Sequence, residues 1–206
     1  KNGNCERHDI PIEKKELKQW YFKITDYKDR LIKNLDTIDY PEKTKKMQRA
    51  WLENLHDWCV SRQRKWGCPI PIENEEDTLD TFVDSSFYYI VYQLWKGLVP
   101  KQVDLYIGGS EHACMHLIYA RFICMVMYDA GLIDFEEPFK KVIHQGMILK
   151  DGEKMSKSKG NTISPDDYDS GHLRFYLMFI GHYFDGGSFN DDNFKGIPRF
   201  VNKMKT

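Results

Sequence analysis

The most concentrated chemical signal in the chain is a lysine-rich loop. The segment KMSKS, residues 154–158, lies in a stretch of ten residues that also contains Lys150 and Lys159. Mobile ammonium groups can follow negative charge as it develops on a polyanion such as a triphosphate, and Gly152 and Gly160 allow the loop to change shape around it. Lysine-rich loops are usually solvated surface, and on composition alone that is the favoured interpretation.

A second candidate site is the segment GGSEH, residues 108–112, between a strand-like run and a helix-like run. Glycines at a strand end let the backbone approach a ligand closely, and the start of the following helix favours anionic groups. At that position Glu111 is able to accept hydrogen bonds from ribose hydroxyls. The same residue types also build an ordinary tight turn with a helix-favouring acid, which by itself is the commoner explanation.

Two histidines follow the glycines at a spacing of four. His112 and His116 would share one face of a helix. Such a pair can bind zinc, but the sequence is not His-Glu-x-x-His, and we therefore expect two polar rings on a pocket wall and no metal.

The elements that would position these residues alternate between helix and strand. The apolar spacing predicts helices, β-prone runs predict strands, and Gly131 and Pro165 mark a helix end and a helix start. Asp84 or Ser85 is expected to cap the helix of the segment DTLDTFVDSSFYYIVYQLW. The predicted helices span 14–35, 43–55, 111–131 and 165–180, and the predicted strands span 103–107 and 140–149. This alternation predicts an α/β fold with a parallel sheet.

Composition excludes several classes of protein. The 206 residues carry a net charge of −1, with 41% hydrophobic and 30% charged residues, which is ordinary for a globular domain. A freestanding nucleic-acid binder would show a clear basic excess. No apolar run is long enough to span a membrane, and no signal peptide is recognisable. The five scattered cysteines favour reduced thiols and a cytoplasmic location.

The strings together resemble a known family. The segments DTFVDSSFYY, DLYIGGSEHACMHLIYARF, HQGMIL and KMSKSKGN occur in the order and spacing of class I aminoacyl-tRNA synthetases, and most closely of the leucyl branch. ELKQWYFKITDY, DYPEKTKKMQRAW and DWCVSRQRKWGCPIPI are also similar to leucyl enzyme segments. The DWCVSRQ phrase is shared with the isoleucyl and valyl enzymes, which remain alternatives.

The resemblance implies an activity and a set of site residues. Leucine would attack the α-phosphate of ATP to form leucyl-adenylate, and the leucyl group would then pass to tRNA(Leu), with ATP as substrate and Mg²⁺ accompanying it. The implied leucine-binding residues are Phe82, Ser85, Tyr88, His112 and His116. The implied ATP-binding residues are Gly108, Gly109, Glu111, Gly146, Met147, Lys154, Ser156 and Lys157, of which Lys154 and Lys157 would be catalytic.

The resemblance also implies four units. Residues 1–13 would be the remnant of a zinc-knuckle-like segment. Residues 14–66 would be a helical connective segment, 67–150 the second half of a Rossmann-like catalytic domain with parallel strands, and 151–206 the KMSKS loop and the start of a helical stem.

The chain departs from the family at several points. It has no His-Ile-Gly-His signature, since Ile180-Gly181-His182-Tyr183 follows the lysine loop instead of preceding it. Residues 52–57 bridge the point at which bacterial leucyl enzymes insert an editing domain, and Leu149 runs almost directly into Lys154, with no room for a leucine-specific insertion. Gly171 stands where an acid is usual, which casts doubt on the anchoring of the lysine loop.

Cys5 and His8 form half a zinc knuckle, and we expect no zinc. The first signature is expected in a longer chain, so the fragment alone should be inactive. A degenerate synthetase-like paralogue that binds a ligand or a protein without catalysis is the rival interpretation.

Overall fold

The computed structural model describes residues 3–5, 8 and 10–205. Short strands and helices alternate along the chain. In order they are β1 Tyr21–Phe22, α1 Lys28–Asn34, α2 Glu42–Glu53, β2 Trp58–Cys59, β3 Ser61–Arg62, β4 Thr78–Leu79, α3 Thr81–Ser86, α4 Tyr88–Trp95, β5 Val103–Gly108, α5 His116–Asp129, β6 Phe139–His144, β7 Ile148–Lys150, β8 Glu153–Lys154, α6 Ser170–Phe179, β9 Gly187–Phe189, α7 Asp191–Phe194 and α8 Gly196–Lys205.

A parallel pair of strands forms the centre of the larger hydrophobic core. β5 pairs with β6 in parallel, from Val103 opposite Phe139 to Gly108 opposite His144. Parallel strands need a crossover connection, and α5 supplies it. Asp39 adds a parallel bridge to Lys141 on the other side of β6. The predicted α/β fold with parallel strands is therefore confirmed.

Helix α5 owes its burial to a nearly continuous apolar run. Nine of its residues, from His116 to Met125, are buried, and the fully buried Arg121 finds partners on three other segments. Its guanidinium binds both carboxylate oxygens of Glu137 at 2.7 and 2.8 Å, the side-chain oxygen of Gln48 at 3.0 Å and the carbonyl of Leu31 at 2.8 Å. This network joins α1, α2 and α5 inside the core.

A second, smaller core lies around Tyr176, Phe189 and Ile197. Here β7 pairs with β8 in an antiparallel hairpin and with β9 in parallel. Asp151 and Gly152 join the hairpin and both have positive φ, 53° and 76°. Asp-Gly is a preferred pair for such a two-residue turn. The sequence indicated only a charged loop at this point, and the structure shows a hairpin whose second strand carries Lys154.

The predicted helix over 14–35 is wrong in its first half. The carbonyl of Trp20 accepts from the amide of Val60 at 2.9 Å, and Tyr21–Phe22 pairs with Trp58–Cys59. Pairing with a segment distant in sequence therefore overrides the helical spacing. Only Lys28–Asn34 is α-helical, preceded by a 3-10 turn over Ile24–Tyr27. The second predicted helix is confirmed as α2.

Two other predicted elements differ from the structure in their boundaries. The long helix begins as a 3-10 turn over Ser110–His112, and α5 starts only at His116, although Gly131 follows its end with φ of 69° as expected. The predicted strand over 140–149 is split into β6 and β7. At the break the amide of Gly146 donates to the carbonyl of Tyr183 at 2.8 Å, and the backbone of Asp185 and Gly186 comes so close that a Cβ at Gly146 would collide with it.

The helical segment predicted from Pro165 is also broken. Pro165–Asp167 forms a 3-10 turn and Tyr168 is extended. α6 then starts at Ser170, where Asp169 accepts a hydrogen bond from the amide of His172 at 2.9 Å. A Cβ at Gly171 would lie only 3.3 Å from the Asp169 carboxylate, so glycine at this position leaves room for the cap.

Candidate functional site

Two cavities adjoin at the carboxyl ends of β5 and β6. The first has a volume of about 460 Å³ and the second about 860 Å³. Gly109, Val142 and His144 line both, so a single wall separates them. Ligands of open α/β sheets bind at the carboxyl ends of the strands.

The first cavity contains all the residues that the resemblance assigned to leucine. Phe82, Ser85, Tyr88, His112 and His116 line it, together with Gly108. Phe82 and Ser85 lie three positions apart on α3 and therefore face the same way. His112 and His116 do not share one α-helix, because His112 is in the 3-10 turn, yet their rings stand 6.2 Å apart at the cavity wall.

A buried polar network crosses the first cavity. Tyr106 Oη lies 2.7 Å from His116 Nε2, and Ser85 Oγ lies 3.0 Å from His116 Nδ1. Ser85 also donates to the carbonyl of Phe82 at 3.3 Å. A neutral imidazole has one donor and one acceptor nitrogen, so the ring donates to one of these two hydroxyls and accepts from the other.

The histidine at the centre of this network is neutral at physiological pH. Burial of the ring, with a smaller contribution from His112, lowers the pKa of His116 from 6.5 to about 4. Burial also raises the pKa of Tyr106. The cavity therefore offers an apolar wall with hydroxyl and imidazole groups and no charge from His116.

Asp80 orients the helix that carries Phe82 and Ser85. Its Oδ1 accepts from the amide of Phe82 at 2.9 Å, which makes Asp80 the cap of α3. Its Oδ2 accepts from the indole of Trp58 at 3.3 Å and pairs with the guanidinium of Arg62. The predicted caps, Asp84 and Ser85, lie inside α3, since the helix begins earlier than the sequence indicated.

The second cavity contains four of the eight residues assigned to the nucleotide. Gly109, Glu111, Gly146 and Met147 line it. The carboxylate of Glu111 folds back over Gly109, where any Cβ would collide with it. The Glu111 side chain can therefore adopt this orientation only because residue 109 is a glycine. Gly108, which was also assigned to the nucleotide, lines the first cavity instead.

The lysine loop approaches the second cavity through one residue. Lys154 Nζ lies 4.0 Å from Glu111 Oε1, and both side chains are about half exposed. Ser156 and Lys157 are not among the residues that line either cavity. The Ser156 amide donates to Asn161 Oδ1 at 2.8 Å, which closes the loop on itself.

Two of the loop lysines are held elsewhere. Lys150 Nζ binds Asp191 at 2.7 Å, and Lys159 Nζ binds Glu153 at 2.7 Å. Tyr168 donates to the other oxygen of Asp191 at 2.8 Å, so the base of the loop is anchored on α7 despite Gly171. Among the four lysines of the loop, Lys154 is the one placed against Glu111.

Tyr106 and His144 line the site but were not predicted. Tyr106 lies two positions before Gly108 on β5, and residues two apart on a strand face the same side, so the alternation contained a signal for it. His144 Nδ1 lies 2.8 Å from the Gly108 carbonyl, and its Nε2 lies 2.7 Å from Thr44 Oγ1. Thr44 is a hundred positions away, so no local pattern could have predicted that contact.

Neither a metal-binding group nor a membrane span is found in the part of the chain that the structure describes. Cys5 Sγ lies 3.4 Å from His8 Nδ1, but within residues 3–5, 8 and 10–205 no group of three or more His, Cys, Asp or Glu side chains could hold a metal ion. Residues 6 and 7, between the pair, lie outside the described residues. In the same ranges no helix is long and apolar enough to cross a membrane.

The fold is shared with solved aminoacyl-tRNA synthetases. A leucyl-tRNA synthetase of Agrobacterium radiobacter K84, solved in a ternary complex with tRNA and LeuAMS, superposes with a TM-score of 0.80 at 20% identity, over 98% of this chain and 53% of that chain. A methionyl-tRNA synthetase of Mycobacterium tuberculosis bound by methionyl-adenylate gives a TM-score of 0.67 at 21% identity, over 97% and 40%. At these identities the likeness establishes the fold.

Sequence comparison establishes the family. A family model described as tRNA synthetases class I (M) matches residues 1–203, and the chain belongs to this family. The leucine–tRNA ligase of Clostridium kluyveri is 41% identical over 220 residues, which cover 73% of this chain and 27% of that protein. The enzyme of Clostridium perfringens strain 13 is 37% identical over 247 residues, with 86% and 29% covered. The chain spans little more than a quarter of these relatives.

Proposed function

We propose that this chain is the part of a leucine–tRNA ligase that binds leucine and the nucleoside of ATP, in an enzyme that forms leucyl-adenylate and transfers leucine to tRNA(Leu). The observation that carries the proposal is the pair of adjoining cavities at the ends of β5 and β6. All five residues assigned to leucine line the first cavity. Glu111, Gly146 and Met147 line the second, and the wall between the cavities is the place for the bond that joins the two substrates.

The chemistry of the first cavity suits an aliphatic side chain. Phe82 and Leu117 contribute apolar surface, and the neutral His116 adds no charge that would have to remain solvated. Tyr88 lies at the outer side of the cavity and is 43% exposed. Leucine binding would thus be driven by burial of its side chain, with Ser85, Tyr106 and the two histidines held in fixed orientations.

The second cavity suits a nucleotide. Glu111 would accept from the ribose hydroxyls, and the backbone of Gly146 and Met147 would lie along the adenine. Lys154, next to Glu111, and Lys157 and Ser156 on the following turn would contact the phosphates, where ammonium groups stabilise the charge that develops as pyrophosphate leaves. Mg²⁺ would enter bound to the ATP phosphates and water, which it prefers to protein cages.

Two alternatives remain as outcomes of the test. A specificity for isoleucine or valine is disfavoured because the relatives reported above are named leucine–tRNA ligases. A paralogue without catalysis would keep the cavities and lose the reaction. The cytoplasm is the proposed place of action, in keeping with the five free cysteines.

The test is amino-acid-dependent exchange of pyrophosphate into ATP by the longest natural protein that contains this chain. Leucine, isoleucine, valine and methionine are compared at equal concentrations. The proposal expects kcat/KM for leucine to exceed that for each of the other three amino acids by at least about tenfold. A single misplaced methyl group in an apolar pocket can produce a difference of this size. Preference for another amino acid would refute the leucine assignment, and exchange with none would support the paralogue.

A further inference from the structure

The loop between β5 and α5 is fixed at both ends by one helix. At its far end, the side-chain amide of Gln48 donates to the carbonyl of Ala113 at 2.8 Å. At its near end, His144 Nδ1 lies 2.8 Å from the carbonyl of Gly108, and His144 Nε2 lies 2.7 Å from Thr44 Oγ1. Residues 108–113 are thus held by α2, directly at one end and through a histidine at the other.

The Gly108 carbonyl fixes the tautomer of the neutral His144 ring. A carbonyl oxygen only accepts, so Nδ1 of His144 carries the proton that it donates to Gly108. In the neutral ring, Nε2 then accepts from the hydroxyl of Thr44. The Gly108 carbonyl therefore sets the tautomer, and the Thr44 hydroxyl holds the ring in place through Nε2. The ring in turn holds the Gly108–Gly109 peptide, which forms part of the wall between the two cavities.

The burial of these side chains shows that the contacts are specific. Thr44 and Gln48 lie four positions apart on the core-facing side of α2, in line with the buried Leu52, and they are only 2% and 0% exposed. Burying a polar group costs free energy unless it is hydrogen-bonded. Gln48 also accepts from Arg121 at 3.0 Å, which prevents the amide from turning away from Ala113.

We propose that Thr44 and Gln48 are positioning residues for the loop Gly108–Ala113, with His144 as the intermediary at the Gly108 end. Neither α2 residue bonds to the loop side chains, so they act by fixing the backbone from which Glu111 projects into the second cavity. This inference deepens the proposed function and rests on it for its catalytic consequence. Its structural consequence is independent of any activity.

The structural consequence is tested by hydrogen exchange on the 206-residue chain. The amides of His112 and Ala113 are bonded within the loop, to the carbonyls of Gly109 and Ser110, and report its opening. Thr44→Val should raise their exchange rates by roughly threefold to tenfold, the effect of one lost hydrogen bond. Thr44→Ser keeps the hydroxyl and should restore slow exchange.

The matched control is Thr25→Val. It removes the hydroxyl that donates to Asp57 Oδ1 at 2.6 Å, in the same connective segment but with no hydrogen bond to the loop. Its exchange at residues 108–113 should match that of the unmodified chain. Unchanged exchange in Thr44→Val, or equal acceleration in Thr25→Val, would overturn the positioning role whatever the activity of the protein.

The catalytic consequence is tested by pyrophosphate exchange in the longer protein. Thr44→Val should raise the KM for ATP by roughly threefold to tenfold. The KM for leucine should change less, because only His112 of the five leucine residues lies on this loop, while Phe82 and Ser85 lie on α3. Equal changes in both would contradict the inference. If the unmodified protein shows no exchange with leucine, the proposed function fails, and the hydrogen-exchange result still decides the positioning role.

Discussion

For His116 the sequence predicted the position of the side chain in a pocket wall but not its protonation state. The spacing of His112 and His116 predicted two polar rings at a pocket wall, and both rings line the first cavity. The partners of His116 come from residues 85 and 106, on other elements, and the low pKa follows from burial that only the folded chain provides. The sequence therefore indicated the place of the ring but not its protonation.

The shifted pKa of His116 makes stability depend on pH. In the unfolded chain the imidazole titrates near its ordinary value of 6.5, and in the folded chain near 4. Between these values the unfolded state binds more protons, so the free energy of unfolding should fall as pH falls from about 6.5 to 4, by up to about 3 kcal/mol from this group.

Chemical denaturation across that pH range, with His116→Gln as comparison, measures this contribution. The variant should lose most of the dependence between pH 6.5 and 4. Aspartates with lowered pKa values, such as Asp129 beside Arg30, respond below that range. An NMR titration that gave His116 an ordinary pKa would show that the ring is solvated and the account of the cavity is wrong.

Lys154 and Lys157 differ in placement, and both should act on the transition state. In the longer protein, Lys154→Ala and Lys157→Ala should each lower kcat for adenylate formation far more than they weaken leucine binding, because the phosphate charge they meet develops only as pyrophosphate leaves. Leucine affinity is measured separately by calorimetry. If leucine affinity and the rate of adenylate formation fell equally, these lysines would act in ground-state binding.

At the scale of elements, long apolar runs were predictable and pairings distant in sequence were not. β5 and α5 were anticipated because each is a contiguous stretch with a clear end at glycine. Residues 14–23 were predicted to be helical and are not, since Tyr21–Phe22 pairs with β2, more than thirty residues later. The hairpin of β7 and β8 was missed because its short strands carry lysine and glutamate, and only Asp151-Gly152 marks the turn.

The network that joins α1, α2 and α5 should contribute strongly to stability. Arg121→Met leaves the nearly buried carboxylate of Glu137 without its partner, and the expected loss is about 3–5 kcal/mol in free energy of unfolding. Adding Glu137→Leu should recover part of it, because the uncompensated charge is then removed. Denaturant unfolding of the single and double variants measures both effects.

Arg49→Ala is the matched control. Arg49 pairs with Asp36 at 2.7 Å, but both side chains are exposed, at 42% and 73%. Its loss should cost no more than about 1 kcal/mol. A single Arg121 variant as mild as this control would mean that the buried network does not hold the three helices together.

At the scale of the whole molecule, the site lies where two hydrophobic cores meet. The larger core includes residues of β5, β6 and α3. The smaller core includes Ile148, which follows Met147 and begins the hairpin that carries Lys154. The alignment with the Clostridium kluyveri enzyme is 220 residues long, yet it covers only 73% of the 206 residues of this chain. That relative therefore contains residues within the aligned stretch that this chain lacks.

The junction after α2 leads to a prediction about fidelity. α2 ends at Glu53 and β2 begins at Trp58, so no domain is inserted between them. An apolar pocket distinguishes similar aliphatic side chains by only about 1–3 kcal/mol. We expect the longer protein to leave tRNA(Leu) mischarged with norvaline or isoleucine intact. Deacylation of preformed mischarged tRNA much faster than in buffer would reveal an editing centre elsewhere.

The central claim is that the first cavity binds leucine and the second binds ATP. Steady-state pyrophosphate exchange with two conservative variants tests it most directly. Tyr106→Phe removes the hydroxyl that is hydrogen-bonded to His116 in the first cavity, and Glu111→Gln removes the carboxylate in the second. The account predicts that Tyr106→Phe raises the KM for leucine by roughly tenfold with little change for ATP, and that Glu111→Gln does the reverse. The opposite pattern, or equal effects of each variant on both substrates, would contradict it.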